Sequence, residues 1–156
     1  MKSTLVLGLG NRLMMDDGIG VAVVELLAGQ EPVEGVRYEV GETDFDHSLD
    51  LAAGCDRLIV VDAAVTGRQP GEVFVLPLRE LVHVRSGLSV HELHFVDLLM
   101  RLKSVERGAL IGIEPFRIDF HFGLSPELQA GLGTVVSSVR AEIERLQKEA
   151  PPVRQL

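Results

Sequence analysis

The stretch TLVLGLGNRLMMDDGIGVAVVELL, Thr4–Leu27, decides the fold. Its first part, Thr4–Leu9, is a short aliphatic run bounded by glycine, and such a run is typical of a buried strand. A loop with two adjacent aspartates follows. The segment Gly18–Gln30 is then apolar nearly all round, which predicts a buried helix. The chain therefore opens with a strand, a loop and a helix, as α/β proteins do.

The same alternation of strands and helices continues along the chain. Further strands are predicted at Val36–Val40, Leu58–Val61, Val73–Leu76 and Ala109–Ile113, and further helices at His47–Gly54 and His91–Lys103. A long final helix is predicted to start at Ser125-Pro126-Glu127, because serine caps free N–H groups and proline suits the first helical position. Short continuous aliphatic strands indicate a mostly parallel sheet with helices on both faces, which is a three-layer α/β fold. Residues 1–150 are predicted to form a single domain, and residues 151–156 a frayed tail.

Composition limits the partners and the compartment. The 156 residues carry a formal net charge of −8, which argues against nucleic acid and against an anionic membrane as partners. No apolar run reaches membrane-spanning length, and no signal peptide precedes the first strand. The single cysteine, Cys55, excludes an internal disulfide and fits a reducing compartment. We therefore expect a soluble cytoplasmic protein with no nucleic-acid or membrane partner.

The loop after the first strand does not match a nucleotide-binding loop. The dinucleotide fingerprint G-x-G-x-x-G fails because Leu13 stands where a third glycine is needed after Gly8 and Gly10. The carboxylates of Asp16 and Asp17 would also repel phosphates. A helix N-terminus favours acidic side chains, so one aspartate can be explained as a cap. Two caps in a row are redundant, and the second carboxylate is available for chemistry.

Three polar residues fall where open parallel sheets bind ligands, outside the carboxyl ends of the strands. Asp17 follows the first strand, Asp62 ends the run LIVVD, and His91 begins a predicted helix. Each has an ordinary alternative, since an aspartate can cap a turn and a histidine can lie on the surface. Together, two carboxylates and an imidazole would suit a divalent transition ion such as zinc or nickel, with positions left open for water or a ligand.

Four blocks of the sequence, in the same order, resemble the hydrogenase maturation proteases, which trim the large subunit of nickel–iron hydrogenases. The blocks are GLGNRLMMDDGIG (Gly8–Gly20), DRLIVVDAA (Asp56–Ala64), LSVHELHFVDLL (Leu88–Leu99) and IGIEPFRIDFHFGLSPEL (Ile111–Leu128). The first block is quite specific, because it joins a G-x-G-N loop, an acidic pair and a G-x-G. The resemblance runs through nearly the whole chain.

The resemblance implies a site and a reaction. In that family a metal is held by residues that fall on Asp17, Asp62 and His91, the same three that the strand-end argument selects. The implied activity is an endopeptidase cut that removes the C-terminal extension from the large-subunit precursor once nickel has been inserted. The nickel would arrive with the substrate and be recognised through these residues, and zinc or cadmium would be alternative occupants in vitro. The implied fold is a twisted, mostly parallel five-stranded sheet between helices.

The chain departs from this family in the loop after the second strand. Many relatives have Gly-Gly-Thr there, whereas this chain has Gly41, Glu42 and Thr43. Because the loop borders the site, Gly41 and Thr43 are predicted, together with Asn11, to contact the substrate. Three polar residues follow closely, and for them we expect a solvated loop rather than an outer metal ligand: Asp44, Asp46 and His47.

Several alternatives stay open at this point. Hydrolysis could use a metal to activate water or polarise the scissile carbonyl, or an aspartate as the base. A cysteine protease is disfavoured, because Cys55 precedes the central strand and lies at its wrong end. Asp16 would either cap the helix or orient the loop; as a cap it could become asparagine for a loss of about 0.3–1 kcal/mol.

Two other classes of protein share features with this sequence. Peptidyl-tRNA hydrolases also open with a strand and GLGN, but they need a basic surface for RNA and a histidine soon after that loop. A non-catalytic, nickel-dependent docking protein or chaperone on the same scaffold is the remaining alternative.

Overall fold

One five-stranded sheet organises the molecule. The structure is a computed structural model that describes residues 3–84 and 90–149, and the side chain of His91 also lies outside the description. The strands are β1 (Thr4–Leu9), β2 (Val36–Glu42), β3 (Arg57–Ala63), β4 (Val73–Pro77) and β5 (Ala109–Ile113). Their spatial order is β2-β1-β3-β5-β4, and β4 alone among these strands runs antiparallel to its neighbour. The mostly parallel five-stranded sheet expected from the sequence is confirmed.

Helices cover both faces of this sheet. They are α1 (Ile19–Ala28), α2 (Phe45–Ala53), α3 (Leu81–Val84), α4 (Val90–Leu99), α5 (Pro126–Ala130) and α6 (Leu132–Lys148). Helices α1 and α6 pack on each other and on one face, whereas α2 and α4 pack together on the opposite face. The three-layer architecture is therefore as predicted, and β1 and β3 are buried on both sides, which explains their continuous aliphatic runs.

The side chains of β3 alternate between two hydrophobic cores, one on each face of the sheet. Ile59 and Val61 belong to the core under α1 and α6. Leu58 and Val60 belong to the core under α2 and α4. Successive side chains on a strand point to opposite faces, so Asp62 falls on the face of α2 and α4.

The final helix differs from the prediction, because it is broken at Gly131. Helix α5 begins as expected, with the Ser125 side chain accepting a hydrogen bond from the Leu128 N–H and proline at the first position. Gly131 then has φ −93° and ψ 4°, outside helical geometry, and α6 starts at the next residue. Glycine is a poor helix former, so the apolar periodicity continues across a point where the backbone does not. Helix α4 also ends earlier than predicted, at Leu99.

The chain reverses its direction of winding between β1 and β3. From β1 it passes to β2 on one side, and from β2 it returns past β1 to β3 on the other side. Loops that leave neighbouring strands in opposite directions open a crevice at the carboxyl ends of those strands. The loop after β1 and the end of β3, which carry the predicted site residues, flank this crevice. Within residues 3–84 and 90–149, no helix is long and apolar enough to cross a membrane; the tail predicted at 151–156 lies outside the described residues.

Candidate functional site

Asp62 lies in the centre of the sheet. It is the second-last residue of β3, and its side chain is completely buried. Across the sheet it pairs in register with Gly112 of β5, while its own strand neighbours β1 on the other side. A buried carboxylate is costly unless its surroundings compensate the charge, so a position of this kind is a candidate for function.

Asp17 lies in a 3₁₀ turn, Met15–Gly18, between β1 and α1. The turn packs against β3, so Asp17 and Asp62 belong to contacting elements at the same end of the sheet. The backbone N–H of Asn11 donates a hydrogen bond of 2.9 Å to Oδ2 of Asp17. The side-chain oxygen of Asn11 accepts from the Leu13 N–H at 2.9 Å, so this residue braces the loop.

Two glycines allow the loop and α1 to approach the sheet. A Cβ on Gly10 would lie 1.9 Å from the Asp17 carbonyl oxygen, and Gly10 has φ +135°, which side chains rarely adopt. A Cβ on Gly20 would lie 2.2 Å from the Val61 carbonyl oxygen, directly beside Asp62. The start of α1 therefore rests on the end of β3, and this contact sets the spacing between the two candidate carboxylates.

His91 is the second residue of α4. Its helix packs on the face of the sheet to which Asp62 belongs, since Phe95, Val96 and Leu99 join the core under α2 and α4. The His91 side chain lies outside the described residues, as does Ser89. The convergence of Asp17, Asp62 and His91 on one ion therefore stays a prediction.

Asp16 does not cap α1. It is completely buried, and α1 begins without any side-chain cap. Its Oδ2 accepts hydrogen bonds from the N–H groups of Phe116 and Arg117, both at 3.0 Å, and from Ser125 Oγ at 2.8 Å; its Oδ1 accepts from the Ser125 N–H at 2.7 Å. The capping alternative is wrong, and Asp16 orients the loop by joining it to residues 116–125.

The acidic residue Glu42 stands where the family resemblance predicts glycine, and its backbone has a left-handed conformation that favours glycine. The register of the β1–β2 ladder shifts here, because Leu9 pairs with Glu42 and Gly41 becomes the extra residue of a bulge. Glu42 has φ +48°, a left-handed conformation that costs a residue with a Cβ about 1–2 kcal/mol. Its carboxylate accepts a hydrogen bond of 2.9 Å from Nε of Arg12. Arg12 also contacts Glu25, and this hydrogen bond raises the pKa of the guanidinium.

The sequence argument gave no role to Glu114, which follows β5 directly. This buried carboxylate accepts hydrogen bonds from the Thr66 N–H at 3.0 Å, from Thr66 Oγ1 at 2.6 Å and from the Gly67 N–H at 3.1 Å. Burial by itself raises the pKa of the Glu114 carboxyl, but these hydrogen bonds outweigh it, so the net pKa is lowered. Glu114 thereby fixes the loop after β3, a few residues beyond Asp62. A role for Glu114 could have been predicted from its position directly after a strand, in the motif Ile-Gly-Ile-Glu-Pro.

A groove of about 470 Å³ lies over the loop that carries Asp17. It is lined by Gly10, Asn11, Arg12, Leu13, Glu42, Thr43 and Phe122. Two of the three residues predicted to contact substrate, Asn11 and Thr43, therefore share one groove. The third, Gly41, is buried, and a Cβ there would lie 2.3 Å from Ser48 Oγ. Substrate contact by these residues stays a prediction.

The polar residues after Thr43 belong to the start of α2. The Asp44 side chain caps this helix by accepting a hydrogen bond of 3.1 Å from the His47 N–H. Asp44, Asp46 and His47 are all exposed, as expected, but the predicted loop is wrong for Asp46 and His47, which lie in the first turn of α2. Asp44 and Asp46 line a second groove of about 570 Å³ between α2 and α4.

The described side chains do not by themselves complete a metal site. The types of donor atom present can nevertheless be compared with those that a metal ion needs. Among them, no group of three or more His, Cys, Asp or Glu residues could hold a metal ion. This finding does not include the His91 side chain. The donors present are one half-buried and one buried carboxylate at the same end of the sheet, with an imidazole on a helix over the face to which Asp62 belongs. These donor types fit the oxygen and nitrogen ligands of nickel or zinc.

Cys55 lies far from this chemistry. It precedes β3, at the amino end of the strand whose other end carries Asp62. Its Sγ donates a hydrogen bond of 3.2 Å to the Ala52 carbonyl oxygen, and burial raises the pKa of the thiol. Its position at the opposite end of β3 from Asp62, together with a raised pKa that lowers the thiolate fraction, argues against Cys55 as the nucleophile.

A doubly wound α/β fold with acidic residues at the switch point defines a class of enzyme scaffold. Comparison with known proteins identifies the family within this class. The family described as hydrogenase maturation protease matches residues 21–142, a range that includes Asp62 and His91 and begins after Asp17. The hydrogenase 2 maturation protease of Escherichia coli K12 is 31% identical over 95% of this chain and 94% of its own length.

Two solved structures share the fold. The hydrogenase maturating endopeptidase HybD from Escherichia coli superimposes with a TM-score of 0.75 at 30% identity, covering 92% of this chain and 93% of HybD. The NiFe hydrogenase maturation protease HybD from Thermococcus kodakarensis gives a TM-score of 0.65 at 28% identity, covering 90% of this chain and 98% of that protein. The chain belongs to the hydrogenase maturation protease family, and it is an endopeptidase of hydrogenase maturation.

Proposed function

We propose that this endopeptidase removes the C-terminal extension from the nickel-loaded precursor of a nickel–iron hydrogenase large subunit. The observation that carries the proposal is that Asp62 lies at the carboxyl end of β3, beside the switch point, and that the 3₁₀ turn carrying Asp17 packs against the same strand. Ligands of open parallel sheets bind in this crevice. The NiFe hydrogenase named for the Thermococcus relative supports nickel as the metal concerned.

In this proposal the nickel is part of the substrate. Asp17, Asp62 and His91 recognise the ion that the precursor already holds, and this recognition places the scissile peptide at the site. Hydrogen bonding from the Asn11 N–H fixes one oxygen of Asp17, which orients the carboxylate before the substrate arrives. Zinc or cadmium would occupy the same donors in vitro when no substrate is present.

Two routes to hydrolysis are compatible with these residues. In one, the metal ion polarises the scissile carbonyl or activates a water molecule. In the other, an aspartate accepts the proton of the attacking water as a general base. The proposal includes a cytoplasmic location, which is supported by the single cysteine, since such cysteine usage fits a reducing compartment.

Cleavage of purified precursor tests the proposal. The protein is incubated with nickel-loaded and with nickel-free large-subunit precursor, and the mass of the precursor C-terminus is measured. We expect a mass loss only in the nickel-loaded sample, and no cleavage of casein or of short peptides with the cleavage sequence. Robust cleavage of the nickel-free precursor would refute nickel recognition, and no cleavage of either would refute the function.

Substitutions assign the residues in the same assay. Asp17→Asn and Asp62→Asn each remove a charged metal ligand, so processing should fall by orders of magnitude while the protein stays folded. Asp97→Asn is the matched control, because this exposed carboxylate on α4 pairs only with Arg101 among its described contacts. If Asp17→Asn processes as well as the control, the metal ligand has been assigned to the wrong residue.

A further inference from the structure

The loop between β5 and α5 exposes apolar side chains beside the candidate site. We name Leu13, Phe116, Ile118, Phe120 and Phe122 the apolar strip. Phe120 and Phe122 are 79% and 72% exposed, and the other three are each more than one-third exposed. Single exposed apolar residues are ordinary, but four of them at alternate positions of one segment, three of them phenylalanines, mark an interaction surface.

The backbone beneath the apolar strip is held in place. The Met15 N–H donates to the His121 carbonyl oxygen, and the His121 N–H donates to the Leu13 carbonyl oxygen, both at 2.9 Å. The buried carboxylate of Asp16 binds the backbone N–H groups of Phe116 and Arg117. A surface whose backbone is already ordered loses less entropy on binding, so the exposed rings are presented for contact.

The apolar strip is continuous with the candidate site. Leu13 and Phe122 line the groove that Asn11 and Thr43 also line. Asn11 in turn donates its N–H to Asp17. A polypeptide that reaches the candidate carboxylates through this groove therefore passes against the apolar strip.

We infer that the apolar strip docks the folded precursor of the hydrogenase large subunit, an inference that rests on the proposed function. A groove of about 470 Å³ accommodates only a short peptide segment. Stable protein recognition needs about 800 Å² on each partner, with aromatic residues as energetic centres. The apolar strip beside the groove offers the additional contact area that the groove itself lacks. Arg117 and Asp119, exposed between the rings, supply the polar surroundings of such an interface.

The test uses the nickel-loaded precursor and a double substitution, Ile118→Ser with Phe120→Ser, because both residues belong to the apolar strip and neither lines the groove. Leu26→Ser is the matched control, because Leu26 is a 47% exposed apolar residue near the far end of α1. Cleavage is followed against precursor concentration, binding is measured separately, and the oligomeric state of each protein is determined by sedimentation. All three substituted residues are exposed, so thermal melting should be unchanged.

The double variant should need at least a tenfold higher precursor concentration for half-maximal cleavage, with maximal turnover within twofold of the unsubstituted protein and the control unaffected. Unchanged half-saturation would overturn the docking surface and leave the proposed function intact. A dimer of the unsubstituted protein that the double variant dissolves would also overturn it, because the strip would then bind a second copy. If the precursor binds through the apolar strip but is not cleaved, the proposed function is refuted and the docking surface is supported.

Discussion

Asp16→Asn separates the role that the structure assigns to Asp16 from a helix cap. The substitution keeps the size of the side chain but leaves it one oxygen and one NH₂ group. If the amide oxygen takes the place of Oδ2, it still faces the donors of Phe116, Arg117 and Ser125 Oγ. The NH₂ group then faces the Ser125 N–H across the 2.7 Å that Oδ1 now spans. Two donors meet in a completely buried place, and one must go without an acceptor.

The magnitude follows from these contacts. An unsatisfied buried donor costs about 1–3 kcal/mol, and each remaining hydrogen bond weakens because its acceptor is no longer charged. The neutral amide is easier to bury than a carboxylate, which offsets part of this loss. We expect a decrease of about 3 kcal/mol in the free energy of unfolding, against about 0.3–1 kcal/mol for a lost cap charge. For a domain of this size, the melting temperature should fall by about 6–12 °C.

Urea unfolding and thermal melting measure the effect. Asp119→Asn is the control, because Asp119 is an exposed carboxylate of the same loop whose described hydrogen bond is to its neighbour Phe120. The control should change stability by less than about 0.5 kcal/mol. Precursor cleavage by Asp16→Asn should also decline, because the loop beside Asp17 loses its anchor. A melting temperature equal to that of the control would refute the anchoring role.

Two further predictions concern backbone strain and acid stability. Glu42→Gly should be about 1 kcal/mol more stable than Glu42→Ala, because both lose the contact with Arg12 and only glycine adopts φ +48° without strain; equal urea midpoints would contradict this. For Glu114, a pKa lowered from the ordinary value of 4.5 means that its stabilisation is present above that pH and is lost as the pH falls below it. The stability difference between the native protein and Glu114→Gln should therefore be largest near neutral pH and decrease as the pH falls below 4.5. A difference that stays constant or widens in acid, measured by urea unfolding with the exposed Glu31→Gln as control, would exclude this role.

Much of the fold could be predicted because it depends on local pattern. Strands Thr4–Leu9 and Ala109–Ile113 have the bounds expected from their aliphatic runs. The Ser125 cap was predicted from one serine and the proline after it, and it is present. The break at Gly131 was missed, since side-chain periodicity reports which face is buried and continues across a backbone interruption.

The candidate site was predicted in part, and the division has a physical cause. The positions of Asp17 and Asp62 after strands could be seen in the sequence, because the carboxyl ends of parallel strands share one edge of the sheet. The anchoring contacts could not be seen in the sequence. Asp16 and Ser125 are more than a hundred residues apart in the chain, and Glu114 and Thr66 are almost fifty residues apart. Long-range partners of this kind depend on how the strands are ordered.

The sequence by itself determined the layers of this protein, the family to which it belongs and the residues available for chemistry, because these depend on composition, short-range spacing and motif order. Only the tertiary structure decided which strands are neighbours, and with that the place of the crevice between β1 and β3. It also decided that one of two adjacent aspartates is completely buried as an anchor, while the other stays half-buried and accepts a hydrogen bond from the Asn11 N–H. The physical reason is that a carboxylate takes its role from the donors that surround it, and folding brings those donors from distant parts of the chain.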